Sequence, residues 1–257
     1  MNEVRPLGFR TAGLKRFGLR RALAGMAEIG YRTVELCEEH PEARGLRGSL
    51  RGWAALKRAA TELGLSVASF SYHGKRDPIP IRQERAAGVI RAALSSDVGV
   101  VVLGAPLKGG ATEADFLRQA ESLIELTGES GPVLAWEYEP GTLLGDLDDL
   151  VGFLDRWNTP AIAANLDIGH VWLTERDVIG PVRLCSDRIA HMHIEDIAGS
   201  RHVHLAPGEG DLDWAGLRFS LNEIGYKGPM VIDLFDLPHN PWQRLRTALD
   251  GARELLR

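Results

Sequence analysis

The chain has 257 residues, of which 44% are hydrophobic and 25% are charged, and its formal net charge is -5. These values are typical of a folded globular domain with a sizeable core and argue against disorder. The acidic balance argues against a broad nucleic-acid or anionic-membrane surface, because such surfaces need a basic excess.

The sequence also indicates where the protein resides. Cys37 and Cys185 are the only cysteines, too few for a disulfide framework, so a reducing compartment is expected. The segment MNEVRPLGFRTAG lacks the apolar core of a signal peptide, and no apolar run is long enough to cross a bilayer. We therefore expect a soluble, cytoplasmic protein without a membrane partner.

Short apolar runs alternate with longer amphipathic stretches along the chain. The predicted strands are Pro6–Arg10, Thr33–Cys37, Ser66–Ser71, Gly99–Gly104, Pro132–Tyr138, Ala161–Asp167, Ile189–Glu195 and Pro229–Phe235. The predicted helices are Arg20–Ile29, Leu50–Leu63, Gln83–Ser95, Glu113–Leu126, Leu147–Trp157, Trp214–Ile224 and Trp242–Leu256. A weaker helical pattern covers Thr174–Leu184, where Gly180 and Pro181 are expected to interrupt it.

This alternation predicts an α/β fold. Runs such as VGVVVLG are apolar on both faces, as expected of strands covered by helices on one side and by a barrel interior on the other. Eight such units without a long linker predict one (β/α)8 TIM barrel domain over residues 1–257. An open, doubly wound sheet is the alternative, but it is expected to carry a glycine-rich phosphate fingerprint after an early strand, and the sequence has none.

Polar side chains follow apolar runs at the ends of four predicted strands, where a barrel places its active-site mouth. The segments PVLAWEYEPG, AIAANLDIGH, IAHMHIED and PMVIDLFD bring Glu137, Asp167, His193 and Asp233 to this end. A lone buried charge is costly unless it is paired or metal-bound. Any one of these residues could be a buried polar group satisfied by hydrogen bonds, but the set together favours a shared metal ion.

Three carboxylates and an imidazole form a mixed oxygen and nitrogen ligand set. This set suits one divalent metal, which can be Mn²⁺, Mg²⁺, Co²⁺, Fe²⁺ or Zn²⁺. The absence of thiolates from the set argues against a structural zinc site.

The segments NLDIGH, HMHIED and HLAPGEGDLDW, in this order, resemble the xylose isomerase-like TIM barrel superfamily. This group holds sugar (phosphate) isomerases and epimerases, inosose dehydratases, hydroxypyruvate isomerases and abasic-site nucleases of the endonuclease IV type. The resemblance covers nearly the whole chain and implies metal ligands at Glu137, Asp167, His193 and the strand-8 acid. That acid is usually glutamate in the family and is Asp233 here, which is shorter by one methylene, so a closer metal or an intervening water is expected.

The resemblance implies an enzyme that moves a proton next to a carbonyl through an enediolate, which the metal stabilises. Glu137 and Asp233 are the predicted acid/base pair, in addition to binding the metal. Glu139 is the reserve base, and its alternative is a salt bridge at the rim. His170 is expected to bind a substrate oxygen.

Further candidates for substrate binding come from other strand ends and loops. His73 follows the third strand and either lines the mouth or bonds to the backbone. Glu35 either reaches the substrate or pairs with an arginine at the mouth, and Arg201 either binds a hydroxyl or phosphate or is solvated. His204 matches a histidine of the nuclease type, and His191 is expected to be a core histidine.

The sequence favours a metal-dependent isomerase or epimerase that acts on a small ketose, a polyol-derived sugar or a related sugar, with unphosphorylated substrates preferred. A dehydratase or lyase is the alternative, because the same enediolate can expel a β-hydroxyl. A nuclease is a minority interpretation, because the strand-4 segment VVLGAP lacks the histidine of that type and the net charge is negative. A non-catalytic sugar-binding barrel and a homo-oligomer of undetermined size are also considered.

Overall fold

A computed structural model describes residues 5–128, 130–235 and 237–257. Eight parallel strands form one closed barrel in the order β1 to β8, which confirms the predicted (β/α)8 architecture. The strands are β1 Leu7–Arg10, β2 Thr33–Cys37, β3 Ser66–Tyr72, β4 Val100–Gly104, β5 Val133–Glu137, β6 Ile162–Asp167, β7 Ile189–Ile194 and β8 Met230–Ile232.

Helices follow the strands and cover the outside of the barrel. They are α1 Leu19–Ile29, α2 Pro41–Gly45, α3 Leu50–Glu62, α4 Ile79–Ser96, α5 Glu113–Thr127, α6 Leu147–Trp157, α7 Ile168–Glu175, α8 Ile179–Cys185, α9 Trp214–Glu223 and α10 Trp242–Leu255, with short 3-10 helices at Thr11–Leu14 and Ser186–Arg188. None of the helices in the described part of the chain is long and apolar enough to span a membrane.

Local sequence signals explain where several helices begin and end. The side chains of Ser49, Thr112, Asp146 and Asp213 each accept a hydrogen bond from a backbone N–H in the first turn of the following helix. These N-caps satisfy donors that have no partner inside the helix. Helix α1 ends at Gly30, whose φ of 108° is accessible to glycine because it lacks a Cβ.

The structure corrects the predicted helix over Thr174–Leu184. Two helices, α7 and α8, occupy this region, and the first ends at Arg176 in a left-handed conformation. Pro181 lies in the first turn of α8, where a missing N–H breaks no intrahelical hydrogen bond. The prediction that Gly180 and Pro181 interrupt one helix was therefore wrong, because they lie at the start of the second one.

The last two strands are shorter than predicted, and this places two acidic residues just beyond the sheet. Strand β7 ends at Ile194 and β8 at Ile232, so Glu195 and Asp233 follow directly. The backbone N–H of Asp233 still donates to the carbonyl oxygen of Ile194 at 3.1 Å. This bond holds Asp233 beside β7 at the carboxyl end of the barrel.

Candidate metal centre and active site

The carboxyl ends of the strands surround a cavity of about 500 Å³. Its size falls within the range of small-molecule sites. Six of the predicted site residues line it: His73, Glu137, Glu139, His170, His204 and Asp233. Asp167 and His193 are fully buried beneath this layer, which is consistent with ligands that lie at the floor of a site.

Glu137, the last residue of β5, is the centre of the buried polar contacts at the mouth. Its Oε2 lies 2.8 Å from His193 Nδ1 and 3.3 Å from His73 Nε2, and it accepts a short hydrogen bond from the Asn165 amide. Its Oε1 lies 3.5 Å from His170 Nδ1. Burial raises the pKa of Glu137, but the facing imidazoles of His193 and His73 outweigh burial and hold it well below its usual range.

Asp167 combines a structural bond with an unpaired oxygen. Its Oδ1 accepts from the backbone N–H groups of Gly169 and His170 at 2.8 and 3.1 Å and caps α7. Its Oδ2 is buried without a hydrogen-bond partner among the described residues and lies 3.8 Å from His193 Nδ1. Burial, and then the charge of Glu137, raise the pKa of Asp167 to about 7.

His193 is held on its other side by Glu35, whose Oε2 lies 2.9 Å from Nε2. Burial lowers the pKa of His193, but the carboxylates of Glu35 and Glu137 outweigh burial and raise it to about 10. In the absence of a cation, a proton on this imidazole therefore balances part of the surrounding negative charge. A metal ion that binds here has to displace that proton.

Asp233 meets a residue that the sequence analysis did not single out. Its Oδ2 accepts a short bond from Arg10 Nη1, whereas its Oδ1 is buried without a partner among the residues described. Burial raises the pKa of Asp233, but the Arg10 guanidinium outweighs it and lowers the pKa below the usual value. Arg10 itself is buried and lines the cavity.

The donor set fits a divalent cation. Asp167 Oδ2 and Asp233 Oδ1 are buried carboxylate oxygens with no hydrogen bond in the described structure, and such groups are costly unless a cation is close. Ligand atoms of Glu137, Asp167 and His170 lie within 4.8 Å of one another, as do those of His73, Glu137 and His193. The described residues therefore contain groups that can hold a metal ion.

Two predicted substrate contacts lie outside the cavity lining. Glu35 is fully buried, and its Oε1 accepts a hydrogen bond from Arg10 Nε at 2.8 Å. Of the two roles considered for Glu35, the structure therefore matches pairing with an arginine at the mouth. Arg201 is exposed and does not line the cavity. His191 is a buried core histidine that bonds to Asn165, as predicted.

The remaining predicted residues lie at the mouth. Glu139 forms the rim salt bridge that was considered for it, with Lys75. His170 Nδ1 donates to the carbonyl oxygen of Tyr138 at 2.8 Å. His204 Nδ1 lies 3.2 Å from the carbonyl oxygen of Asp233, and its ring packs against Phe235.

A second group of polar side chains lies beside this site. Glu195 is fully buried, and neither of its carboxylate oxygens has a hydrogen bond among the described residues. His204 Nδ1 contacts Oε2, and His202 Nε2 lies 3.9 Å from Oε1. Ligand atoms of these three residues also lie within 4.8 Å of one another, and the sequence analysis gave no role to Glu195.

The fold and the site define a (β/α)8 barrel with a carboxylate and histidine group at its catalytic end. Residues 23–256 match the family model of the xylose isomerase-like TIM barrel. The chain therefore belongs to this family, and the resemblance stated from the sequence motifs is confirmed.

Individual relatives are more distant. D-psicose 3-epimerase of Enterocloster bolteae is 28% identical over 126 residues, which cover 48% of this chain and 40% of that protein. Fructoselysine 3-epimerase of Escherichia coli O157:H7 is 23% identical, and the match covers 97% of this chain and 98% of that protein. Both are named as epimerases, which supports the predicted enzyme class of isomerases and epimerases.

Solved structures share the fold. The crystal structure of D-allulose 3-epimerase from Methylomonas sp. in complex with D-allulose superposes with a TM-score of 0.75 at 18% identity and covers 98% of each chain. At this identity the likeness supports the barrel architecture alone.

Proposed function

We propose that the chain is a divalent-metal-dependent sugar epimerase or isomerase. It takes a proton from the carbon next to the carbonyl of a small ketose or related sugar and returns it by way of an enediolate. The observation that carries this proposal is the pair of buried carboxylates, Glu137 and Asp233, that line one cavity. Glu137 ends β5 and Asp233 directly follows β8, and these two strands lie three strands apart in a ring of eight.

In this proposal Glu137, Asp167, His193 and Asp233 hold the cation. Asp167 Oδ2 and Asp233 Oδ1 support this assignment, because each is a buried carboxylate oxygen without a competing hydrogen bond among the described residues. A divalent ion bound there supplies Lewis-acid stabilisation of negative charge on a substrate oxygen. Mn²⁺, Mg²⁺, Co²⁺, Fe²⁺ and Zn²⁺ all accept oxygen and imidazole ligands.

The two carboxylates suit epimerisation, which removes a proton from one face of a carbon and delivers one to the other face. Carboxylates on separate walls of a cavity can serve the two faces. His170 supports the substrate: because its Nδ1 donates to the Tyr138 carbonyl, its Nε2 is an acceptor. This Nε2 lies 3.1 Å from His202 Nε2, so a sugar hydroxyl that binds there has to displace or share that contact. The relatives are 3-epimerases by name, so C3 of a 2-ketose is the position to test first.

The test is proton NMR of D-fructose, D-tagatose and L-ribulose with the protein in D₂O, after chelator treatment and after addition of Mn²⁺. We expect exchange of the C3 proton and formation of the C3 epimer only with the metal present. Glu137→Gln and Asp233→Asn should each remove this exchange. Glu223→Gln is the matched control, because Glu223 is an exposed acid that pairs with Arg183 and does not line the cavity, and it should retain most of the activity.

Other outcomes select the alternatives. Loss of water from the sugar, in place of return of a proton, supports a dehydratase. Cleavage of a duplex that carries an abasic site supports a nuclease. Saturable sugar binding without exchange at any carbon, unaffected by Glu137→Gln, supports a non-catalytic binding barrel, and each of these results contradicts the epimerase proposal.

A further inference from the structure

Arg10 is a positive charge built into the barrel interior. It ends β1, and the register of β1 and β2 places it opposite Glu35. Strand β1 also pairs with β8, after which Asp233 follows. The arginine side chain is 5% exposed and lines the cavity. It therefore lies between two acids and reaches the place where a substrate would bind.

Three contacts fix the orientation of the guanidinium. Nε donates to Glu35 Oε1 at 2.8 Å, Nη1 donates to Asp233 Oδ2, and Nη2 lies 3.0 Å from His73 Nδ1. Because a guanidinium can only donate, His73 Nδ1 is the acceptor.

These contacts do not use all the donors of Arg10. A guanidinium has five N–H groups, and three of them serve Glu35, Asp233 and His73. The other two, one on each terminal nitrogen, have no acceptor among the residues that the structure describes. Since Arg10 lines the cavity, donors without a partner are available to a bound molecule there.

We propose that Arg10 is a catalytic residue that donates to the substrate oxygen on which negative charge develops. This inference rests on the proposed function and assigns one more residue to it. When a carboxylate takes the proton from the carbon next to the carbonyl, the electron pair of the broken C–H bond forms a C=C bond. The carbonyl π electrons move to oxygen, and Arg10 stabilises that oxygen until a proton returns to carbon.

A catalytic role for Arg10 and a purely supporting role predict different effects on kcat and on metal binding. Removal of one preorganised donor to an oxyanion lowers kcat by about 100- to 1,000-fold. The guanidinium repels a divalent cation, so its removal is not expected to weaken metal binding by the neighbouring acids. If Arg10 only supports the neighbouring acids, its loss disorders them and weakens metal binding. The activity of the variant would then recover at saturating metal.

The experiment compares Arg10→Met and Arg10→Lys with the wild-type protein, using the ketose that the wild type epimerises fastest and saturating Mn²⁺. Mn²⁺ binding to each metal-free protein is measured by calorimetry. We expect kcat to fall about 100- to 1,000-fold in Arg10→Met and at least about tenfold in Arg10→Lys, without weaker Mn²⁺ binding. Arg188→Met is the control. Arg188 directly precedes β7 and pairs with Asp155, and loss of this ion pair should leave kcat unchanged.

Chemical rescue gives an independent readout. Guanidinium ion should restore part of the kcat of Arg10→Ala, and methylammonium should restore less, because it lacks the planar donor fork. Wild-type kcat in Arg10→Lys, or recovery of Arg10→Met at high Mn²⁺, overturns the inference. If Arg10→Met does not fold, Arg10→Lys decides, because it keeps a cation between Glu35 and Asp233. Absence of turnover by the wild type refutes the proposed function and this inference together, whereas active Arg10 variants refute only the inference.

Discussion

Glu35 is predicted to control the affinity of the site for metal without touching the metal. Its carboxylate lies 2.9 Å from His193 Nε2, which leaves Nδ1, the nitrogen nearest Glu137 and Asp167, as the donor atom for a cation. A carboxylate in this position fixes the imidazole and raises its basicity, and loss of such a partner typically weakens metal binding 10- to 100-fold. Glu35→Gln also removes one negative charge close to the cation, and this acts in the same direction.

The expected change in binding free energy for Glu35→Gln is therefore about 1.4–2.7 kcal/mol. Calorimetric titration of the metal-free protein with Mn²⁺ measures it. The substitution also breaks a buried ion pair with Arg10, which costs roughly 3–5 kcal/mol of stability, so the titration must be made well below the unfolding temperature of the variant.

Glu38→Gln is the matched control. Glu38 is also a buried carboxylate that pairs with an arginine, Arg85, but no contact joins it to the proposed metal ligands in the described structure. It should lose stability and keep its affinity for Mn²⁺. Equal affinity of Glu35→Gln and wild type, or equal weakening by Glu38→Gln, would refute the role assigned to Glu35.

Three further predictions concern protons and packing. Because the pKa of His193 is raised to about 10, Mn²⁺ binding at pH 7 should release a proton, measured by calorimetry in buffers of different ionisation enthalpy. Burial raises the pKa of Glu39, but the nearby imidazole of His73 and the backbone N–H of His73, which donates to Oε1, outweigh burial and hold the pKa at about 2 instead of 4.5. The ionised Glu39 carboxylate should thus stabilise the fold by roughly 3 kcal/mol above pH 4.5, and this stabilisation should disappear as the pH falls toward 2. The free energies of unfolding of Glu39→Gln and wild type should therefore become similar in acid. A Cβ at Gly169 would lie 2.6 Å from Glu195 Cγ, so Gly169→Ala should cost about 1–3 kcal/mol in urea unfolding.

Each of these predictions has a clear contrary result. Metal binding without buffer-dependent heat would contradict the protonated state of His193. A constant stability difference between wild type and Glu39→Gln across pH 2–7 would contradict the lowered pKa. Gly152 provides the packing control, since a Cβ there meets no atom of the described residues within 4 Å. Gly152→Ala should be neutral or stabilising, and equal losses at Gly152 and Gly169 would contradict the crowding argument.

Much of the barrel could be predicted from the sequence, because strand periodicity and the position of the last inward residue follow from local patterns. Asp167 ends β6 as expected, and Glu137 ends β5 one residue before the predicted end of that strand. The break between α7 and α8 was missed, because Pro181 can end one helix or begin the next, and only tertiary packing decides between these.

The polar contacts at the mouth were harder to predict, because they depend on which strands become neighbours when the barrel closes. Arg10 could have been noticed as a charge at the end of an apolar strand, but its partners, Glu35 and Asp233, come from strands on either side of β1. Glu195 is the last residue of the predicted strand Ile189–Glu195. The structure places it just beyond β7 and against Gly169, which spacing in the sequence does not indicate.

Metal analysis of the purified protein tests the central claim most directly. We expect about one divalent ion per chain in the wild type and a large loss in Asp167→Asn and in His193→Ala. We expect no loss in Asp155→Asn, which changes an exposed acid paired with Arg188. A wild-type protein that binds no divalent ion, or ligand variants that retain its full metal content, would contradict the proposed metal centre.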